Sequence, residues 1–142
     1  MIFVDTNLFV RAIIRSDDPG VTVHERVARD LFHRADRGEL ELISSEAVIA
    51  EVAHVLTAKR QYAMPVTEAV SRLIPLVRSR GLTLDRPSVV HDALLIWREF
   101  PALGFVDALG AAYGKQPRVQ LATFDADLDR VPGVSRHDLI PR

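Results

Sequence analysis

The sequence predicts an α/β protein, organised as a three-layer α/β/α sandwich around a central, mainly parallel sheet of four to five strands. Three observations lead to this class. Short apolar runs recur along the chain, helical patterns separate them, and the opening run at residues 2–4 does not alternate apolar with polar side chains. An unalternated run is typical of a strand buried on both faces in a parallel sheet. Strands that alternate with helices pair in parallel through right-handed crossovers.

The predicted strands are short. They cover residues 2–4, 42–43, 82–84 and 119–124, with a further edge near Val134. Apolar residues at helical spacing predict helices over residues 8–14, 23–35, 47–58, 67–80, 89–100 and 105–113.

Capping residues support the helix boundaries. Ser45 is placed to cap the third helix, Thr67 to begin the fourth and Gly81 to close it. Pro75 falls inside the fourth helical pattern, so we expect a kink or a split there.

Length and composition predict a single domain over residues 1–142. The 142 residues are 48% hydrophobic and 26% charged, which is typical of a globular protein. The absence of cysteine excludes disulfides, thiolate catalysis and cysteine-bound zinc. With neither a basic leader nor an apolar run of about 18 residues, we expect a cytoplasmic protein.

The net charge of −1 does not indicate nucleic-acid binding by the domain as a whole. An RNA ligand would need a local group of basic side chains. Two helices offer such a group, although ordinary solvated helix faces explain the same residues. They are Arg26, Arg29, Arg34 and Arg37 in the second helix, or Arg11 and Arg15 in the first.

Four acidic residues are candidates for a functional site at the edge of the predicted parallel sheet. Asp5 and Asp125 each follow a predicted strand, and the crevice of such a sheet lies beyond the carboxyl ends of its strands. Glu51 lies at the margin of an apolar helix stripe, where we expect its carboxylate to be kept from bulk water. Asp107 shares its helix face with Gly110 and other small residues. No bulky or basic neighbour on that helix covers its carboxylate, so we expect that another group can approach it closely.

Taken singly, each acid has a structural explanation as a strand end, a helix cap or half of an ion pair. Together they would meet at one sheet edge, where like charges resist joint ionisation. A hard cation resolves that conflict, so the cluster predicts Mg²⁺, with Mn²⁺ as the alternative. Nearby hydrogen-bonding groups that would orient the carboxylates are Asn7, Ser45 and Thr123.

A rival interpretation is a calcium loop beginning at Asp125, because DADLDR alternates acids with other residues. The sixth position is Arg130 instead of glycine, and the twelfth is Arg136 instead of glutamate, so the loop fails the EF-hand pattern. Asp127 remains a candidate additional acid for the metal site, whereas Asp129 is expected to be solvated.

These motifs resemble the PIN-domain family, and within it the VapC-type ribonuclease toxins of type II toxin–antitoxin systems. The resemblance follows VDTN, AVIAEVAHVL, FVDALGAA and LATFDADL in order along nearly the whole chain. It implies a Mg²⁺- or Mn²⁺-dependent endoribonuclease with a metal-activated water. Asp5 and Asp107 would be the direct ligands, and Glu51 and Asp125 would serve a weaker site and orient water.

The same resemblance implies partners. They are an RNA substrate, a small VapB-like antitoxin and a second copy of the chain in a homodimer. Three alternatives stay open at the level of sequence: a non-catalytic binding module on a PIN scaffold, a housekeeping PIN nuclease outside a toxin–antitoxin pair, and an aspartyl phosphatase or receiver-like domain. The last is disfavoured because VDTN lacks a second acid two residues after Asp5.

Overall fold

The computed structural model describes residues 1–139. The chain folds into two compact units, Met1–Pro87 and Ser88–Arg142. The single domain over residues 1–142 stays a prediction. Within residues 1–139, no helix combines the length and apolar character needed to span a membrane.

A parallel sheet of three strands organises the first unit. The strands are β1 (Ile2–Phe3), β2 (Leu42–Ile43) and β3 (Leu82–Thr83), in the order β1-β2-β3. Both pairs are parallel, and Leu42 is in register with Ile2 on one side and Leu82 on the other. The strands are separated by helices along the chain, which confirms the predicted α/β class. The predicted count of four to five strands is wrong for the described residues.

Helices form at every predicted position. The first unit contains α1 (Thr6–Ile13), α2 (Pro19–Asp36), α3 (Glu46–Thr57) and α4 (Val66–Val77). The helix α5 (Pro87–Glu99) begins at the unit boundary, and the second unit continues with α6 (Phe105–Gly114) and a 3₁₀ helix at Ala126–Arg130.

The core of the first unit is built on apolar helix faces. Phe9 of α1 and Phe32 of α2 pack with ring centroids 5.1 Å apart. Ile49 and Leu56 of α3 and Leu73 of α4 are fully buried. Each such side chain contributes about 1.5–3 kcal/mol by leaving water. The faces that the periodicity predicted therefore supply the energy that holds β1 and α1 in place.

The second unit has its own aromatic contact. Trp97 of α5 is 3% exposed and meets Phe105 of α6 edge to face, with ring centroids 5.7 Å apart. This geometry is favoured by the quadrupoles of the two rings. Trp97 is therefore a core residue, which leaves its ring unable to stack on a ligand.

The predicted strand at 119–124 is wrong, because this segment forms a single parallel bridge between Leu121 and Arg136. The Leu121 N–H donates to the Ser135 carbonyl at 2.7 Å, and its own carbonyl accepts from the His137 N–H at 2.9 Å. Phe124 is 86% exposed, so the apolar run is not buried along its length. The edge predicted near Val134 is likewise reduced to this bridge.

One local prediction about α4 is wrong and another is tested only in part. Pro75 lies inside α4, which continues to Val77, so the helix is not split there; the alternative expectation, a kink at Pro75, stays a prediction. Gly81 does not close the helix, whose C-cap is Arg78. Gly81 is instead needed for close approach: a Cβ atom there would lie 2.7 Å from the Ala35 carbonyl carbon at the end of α2. Glycine at this position lets β3 begin beside α2.

Candidate active site

Asp5 lies immediately after β1 and caps α1. Its backbone is extended (φ −91°, ψ 178°), and its Oδ1 accepts a hydrogen bond from the Leu8 N–H at 3.2 Å. An aspartate at this position satisfies one of the unpaired N–H groups that every helix start presents. The carboxylate is nevertheless exposed. The side chain is therefore oriented by the cap and accessible to a ligand.

Ser44 fixes the end of β1 directly before Asp5. Its hydroxyl donates to the Val4 carbonyl at 2.9 Å, and its N–H donates to the Thr83 carbonyl at 3.1 Å. Ser44 is 4% exposed, so these bonds are made away from water. Ser44 was not among the predicted site residues, although a serine that directly follows a strand was the available signal. The adjacent Ser45 was selected instead.

A cavity of about 350 Å³ opens beside Asp5. The start of α1 contributes Thr6 and Asn7 to its wall, and the loop after α3 contributes Gln61 and Tyr62. Asn7, predicted as a group near the acids, thus shares the cavity with Asp5. Gln61 and Tyr62 were missed, because nothing in their local sequence places that loop against the start of α1.

Glu51 lies on α3, as predicted, but its expected shielding from water is wrong: the side chain is exposed. Residues four apart share a helix face. Val55 is one turn beyond Glu51 and lines the Asp5 cavity. Glu51 and Val55 therefore share one face of α3, although Glu51 itself does not line the cavity. The core face of α3 is formed instead by Ile49, Val52 and Ala53.

Ser45 has the predicted role of helix cap. Its Oγ accepts a hydrogen bond from the Val48 N–H at 3.3 Å, and Glu46 occupies the first turn of α3. The hydroxyl therefore fixes the start of the helix that carries Glu51. Its predicted function of orienting a carboxylate stays a prediction.

In the second unit, Asp107 lies in the first turn of α6 and is exposed. The small residues on its helix face accommodate a neighbouring segment. A Cβ atom on Gly114 would lie 2.9 Å from Val134 Cγ1 and 3.1 Å from Leu121 Cβ. At Gly114, this face is therefore covered by the protein's own segment around Leu121, whereas the close approach expected at Asp107 itself stays a prediction.

Asp125 follows that segment and caps the 3₁₀ helix. Its Oδ1 accepts from the Asp127 N–H at 2.9 Å, and its own N–H donates to Thr123 Oγ1 at 3.0 Å. The Arg136 guanidinium donates to the Thr123 carbonyl and pairs with Asp129. Thr123 therefore contacts the backbone of Asp125 rather than its carboxylate, which is exposed.

Asp127, the candidate additional acid, lines another cavity of the second unit. This cavity measures about 190 Å³ and is formed with Phe100, Leu103 and Arg130 among others. Asp129 is exposed as predicted, but it forms an ion pair with Arg136, which stands at the position where an EF-hand would carry glutamate.

None of the four central acids is neutralised by a basic side chain in the described residues. The ion pairs between side chains there include those of Glu39, Glu68 and Asp129. Asp5, Glu51, Asp107 and Asp125 are all exposed and form none. Within residues 1–139, no three or more His, Asp or Glu side chains are grouped so that they could hold a metal ion. Ligation by the full set of four acids stays a prediction.

The arginines of α2 are partly committed to other contacts. Arg34 and Arg37 both pair with Glu39, at 3.3 and 2.8 Å. The hydrogen bond from Arg37 lowers the pKa of the Glu39 carboxyl, and the same bond raises the pKa of Arg37. The NH1 atom of Arg29 is buried. The basic group on this helix therefore presents less free charge than its sequence indicates.

The donor set of the first unit fits a hydrated magnesium or manganese ion. Mg²⁺ usually keeps several waters and binds through one or two carboxylates together with substrate phosphate. Asp5 offers an exposed carboxylate at the carboxyl end of a parallel strand, which is where ligands of such sheets bind.

The comparison with protein families matches the PIN domain over residues 2–134. No curated protein matches the chain significantly. PIN domains are generally nucleases, which are hydrolases that act on nucleic acids. Because the match extends over nearly the whole chain, the protein belongs to the PIN domain family.

Proposed function

We propose that this PIN domain is a divalent-metal-dependent endoribonuclease of the VapC type, the toxin of a toxin–antitoxin pair. The observation that carries the proposal is Asp5: an exposed carboxylate without a basic partner in the described residues, held at the carboxyl end of β1 beside a cavity. Family membership supplies the nuclease class. Metal dependence, RNA as substrate and the toxin role are the proposed parts.

The chain's residues have distinct tasks in this proposal. Asp5 and Asp107 would hold Mg²⁺ or Mn²⁺, while Glu51 and Asp125 orient water. When bound, the ion supplies an activated water and neutralises charge on the scissile phosphate. Ser44 fixes the end of β1, and the Leu8 N–H restricts Asp5 to one orientation. Asn7, Ser45 and Thr123 are the proposed hydrogen-bonding groups that orient the carboxylates. Ser45 caps the helix that carries Glu51, and Thr123 accepts from the N–H of Asp125.

Asp5→Asn tests this assignment cleanly. Asparagine caps a helix about as well as aspartate, so the start of α1 is retained while the negative charge is removed. We expect RNA cleavage with Mg²⁺ or Mn²⁺ to fall at least about 100-fold, the lower end of the loss seen when one group that stabilises a transition state is removed. Asp17→Asn, an exposed acid of the same unit, is the matched control and retains activity. Equal cleavage by wild type and Asp5→Asn contradicts the proposal.

The proposed partners are a VapB-like antitoxin and a second copy of the chain, in the cytoplasm. A short neighbouring reading frame that encodes a DNA-binding protein, together with inhibition of cleavage when the two proteins are mixed, supports the toxin role. Cleavage activity without any such neighbour favours the housekeeping nuclease. Light scattering of the pure protein tests the homodimer directly.

A second candidate is a non-catalytic binding module on the same scaffold. It is favoured by one observation: no three acids or histidines of the described residues form a group that could hold a metal ion. Calorimetric titration with Mn²⁺ in the presence of RNA separates the two candidates. Heat of ion binding that disappears in Asp5→Asn supports the nuclease, and absence of binding supports the module.

A further inference from the structure

The cavity beside Asp5 has walls of two kinds. One side is polar and consists of Asp5, Thr6 and Asn7 at the start of α1, while Val10 and Val55 provide apolar surface. Its volume of about 350 Å³ lies within the range of about 300–1,000 Å³ found for small-ligand pockets. Asp5 is the one charged residue in the lining, and it is negative. The cavity therefore suits an uncharged, flat group better than a phosphate.

The remaining wall is a tightly fixed loop. The N–H groups of Gln61 and Ala63 both donate to the Ala58 carbonyl at 3.0 Å, and the Met64 N–H donates to the Leu56 carbonyl at 2.8 Å. Ala63 has φ +47°, in the left-handed region that non-glycine residues rarely adopt. Such strain persists only where surrounding contacts impose it, and it is concentrated at ligand-binding sites. The loop therefore fixes the positions from which Gln61 and Tyr62 reach the cavity.

The side chains of this loop suit a nucleobase. Tyr62 is 40% exposed and offers an aromatic ring, on which bases stack irrespective of their sequence. Gln61 is exposed and carries an amide, which pairs a donor and an acceptor as the edges of bases do. A base held there would lie beside Asp5, so its attached phosphate would be near the proposed metal ligand.

We propose that this cavity is a nucleobase subsite, in which Tyr62 stacks on one base of the RNA and Gln61 hydrogen-bonds to its edge. The inference rests on the proposed nuclease function and deepens it, because it assigns the residues that select the base beside the scissile phosphate. Both are specificity residues, since neither supplies charge to the reaction.

The direct test is to titrate the protein with adenosine, cytidine, guanosine and uridine in the presence of EDTA. Binding of each nucleoside is measured from the changes in the protein's NMR chemical shifts. Uncharged nucleosides and removal of metal separate base recognition from phosphate and ion binding. We expect Tyr62→Ala to weaken binding between about 5-fold and about 150-fold, as for loss of one stacked base. Tyr62→Trp retains binding because it keeps an aromatic face.

Gln61→Glu gives a second, qualitative readout. A carboxylate only accepts hydrogen bonds, and guanine presents adjacent N1–H and N2–H donors. We therefore expect the variant to shift both nucleoside preference and the base found at the cleavage position towards guanine. Gln116→Glu makes the same chemical change two residues after α6, at a residue that does not line the cavity, and leaves both unchanged.

The outcomes separate the two proposals. An Asp5→Asn protein that no longer cleaves RNA but still binds nucleosides through Tyr62 supports both. A wild type that fails to cleave RNA overturns the nuclease proposal. In that case nucleoside binding that depends on Tyr62 still supports base recognition in the cavity. Absence of nucleoside binding to the wild type, or equal binding and cleavage preference in Tyr62→Ala and Gln61→Glu, overturns the subsite.

Discussion

Replacing Ser44 by alanine tests whether the end of β1 is held by the buried hydroxyl bond to the Val4 carbonyl. The Ser44 side chain is 4% exposed and its bond measures 2.9 Å, so water does not readily replace it. Losing the bond and leaving the carbonyl without this donor costs about 1–3 kcal/mol in free energy of unfolding. For 142 residues the entropy of unfolding is about 0.3 kcal/mol/K, so Tm falls by about 3–10 °C.

The assay is urea and thermal unfolding monitored by circular dichroism. Ser71→Ala is the matched control, because Ser71 is exposed and its hydroxyl bonds only to the Glu68 carbonyl within α4. We expect Ser71→Ala to change the free energy of unfolding by less than about 0.5 kcal/mol, as is usual for a surface site. Equal stability of wild type and Ser44→Ala refutes the view that this hydroxyl fixes the strand end before Asp5.

Three further perturbations test other parts of the structure. Gly81→Ala forces a Cβ atom to 2.7 Å from the Ala35 carbonyl carbon and should lower the free energy of unfolding by about 1–3 kcal/mol in a urea titration. Gly110→Ala is the control within a helix, because a Cβ atom at Gly110 would meet no neighbouring atom closer than 3.7 Å. It should raise the free energy of unfolding by about 0.5–1 kcal/mol. Ala63→Gly relieves a φ of +47° and should raise the unfolding midpoint while weakening nucleoside binding, because the loop becomes less fixed; a lowered midpoint would speak against strain at this residue. Glu39 has a pKa lowered from 4.5 by the hydrogen bond from Arg37, so its contribution to stability is present above pH 4.5 and is lost as the pH falls through the lower, folded-state pKa. This contribution is measured as the difference in free energy of unfolding between wild type and Glu39→Gln, from neutral to acidic pH. A difference that stays the same across that range would contradict a lowered pKa of Glu39.

The helices could be predicted from the sequence because their causes are local. The apolar spacing of α3 and its cap at Ser45 lie within a few residues of one another, and both are found as predicted. Asp5 was predictable for the same reason, since an acid that ends an apolar run marks the end of a strand. The burial on both faces expected for that run is wrong, because Val4 is buried but Ile2 and Phe3 are exposed. The resemblance to PIN-domain motifs further indicated that the four acids belong to one site, because the motifs that contain them follow one another in the family's order.

The parts that could not be predicted depend on contacts between distant segments. Residues 119–124 have the composition of a strand, but only Leu121 pairs and Phe124 remains exposed. The exposure of Glu51 depends on what covers that face of α3, which the helical period alone does not reveal. Gln61 and Tyr62 reach the cavity only because a loop distant in sequence folds beside the start of α1.

The most direct test of the account is the Mn²⁺-dependent cleavage of a defined RNA by the pure protein, compared between wild type, Asp5→Asn and Asp17→Asn. We predict cleavage by wild type and Asp17→Asn that stops on chelation of the metal, and none by Asp5→Asn. Cleavage that survives both chelation and Asp5→Asn would contradict it.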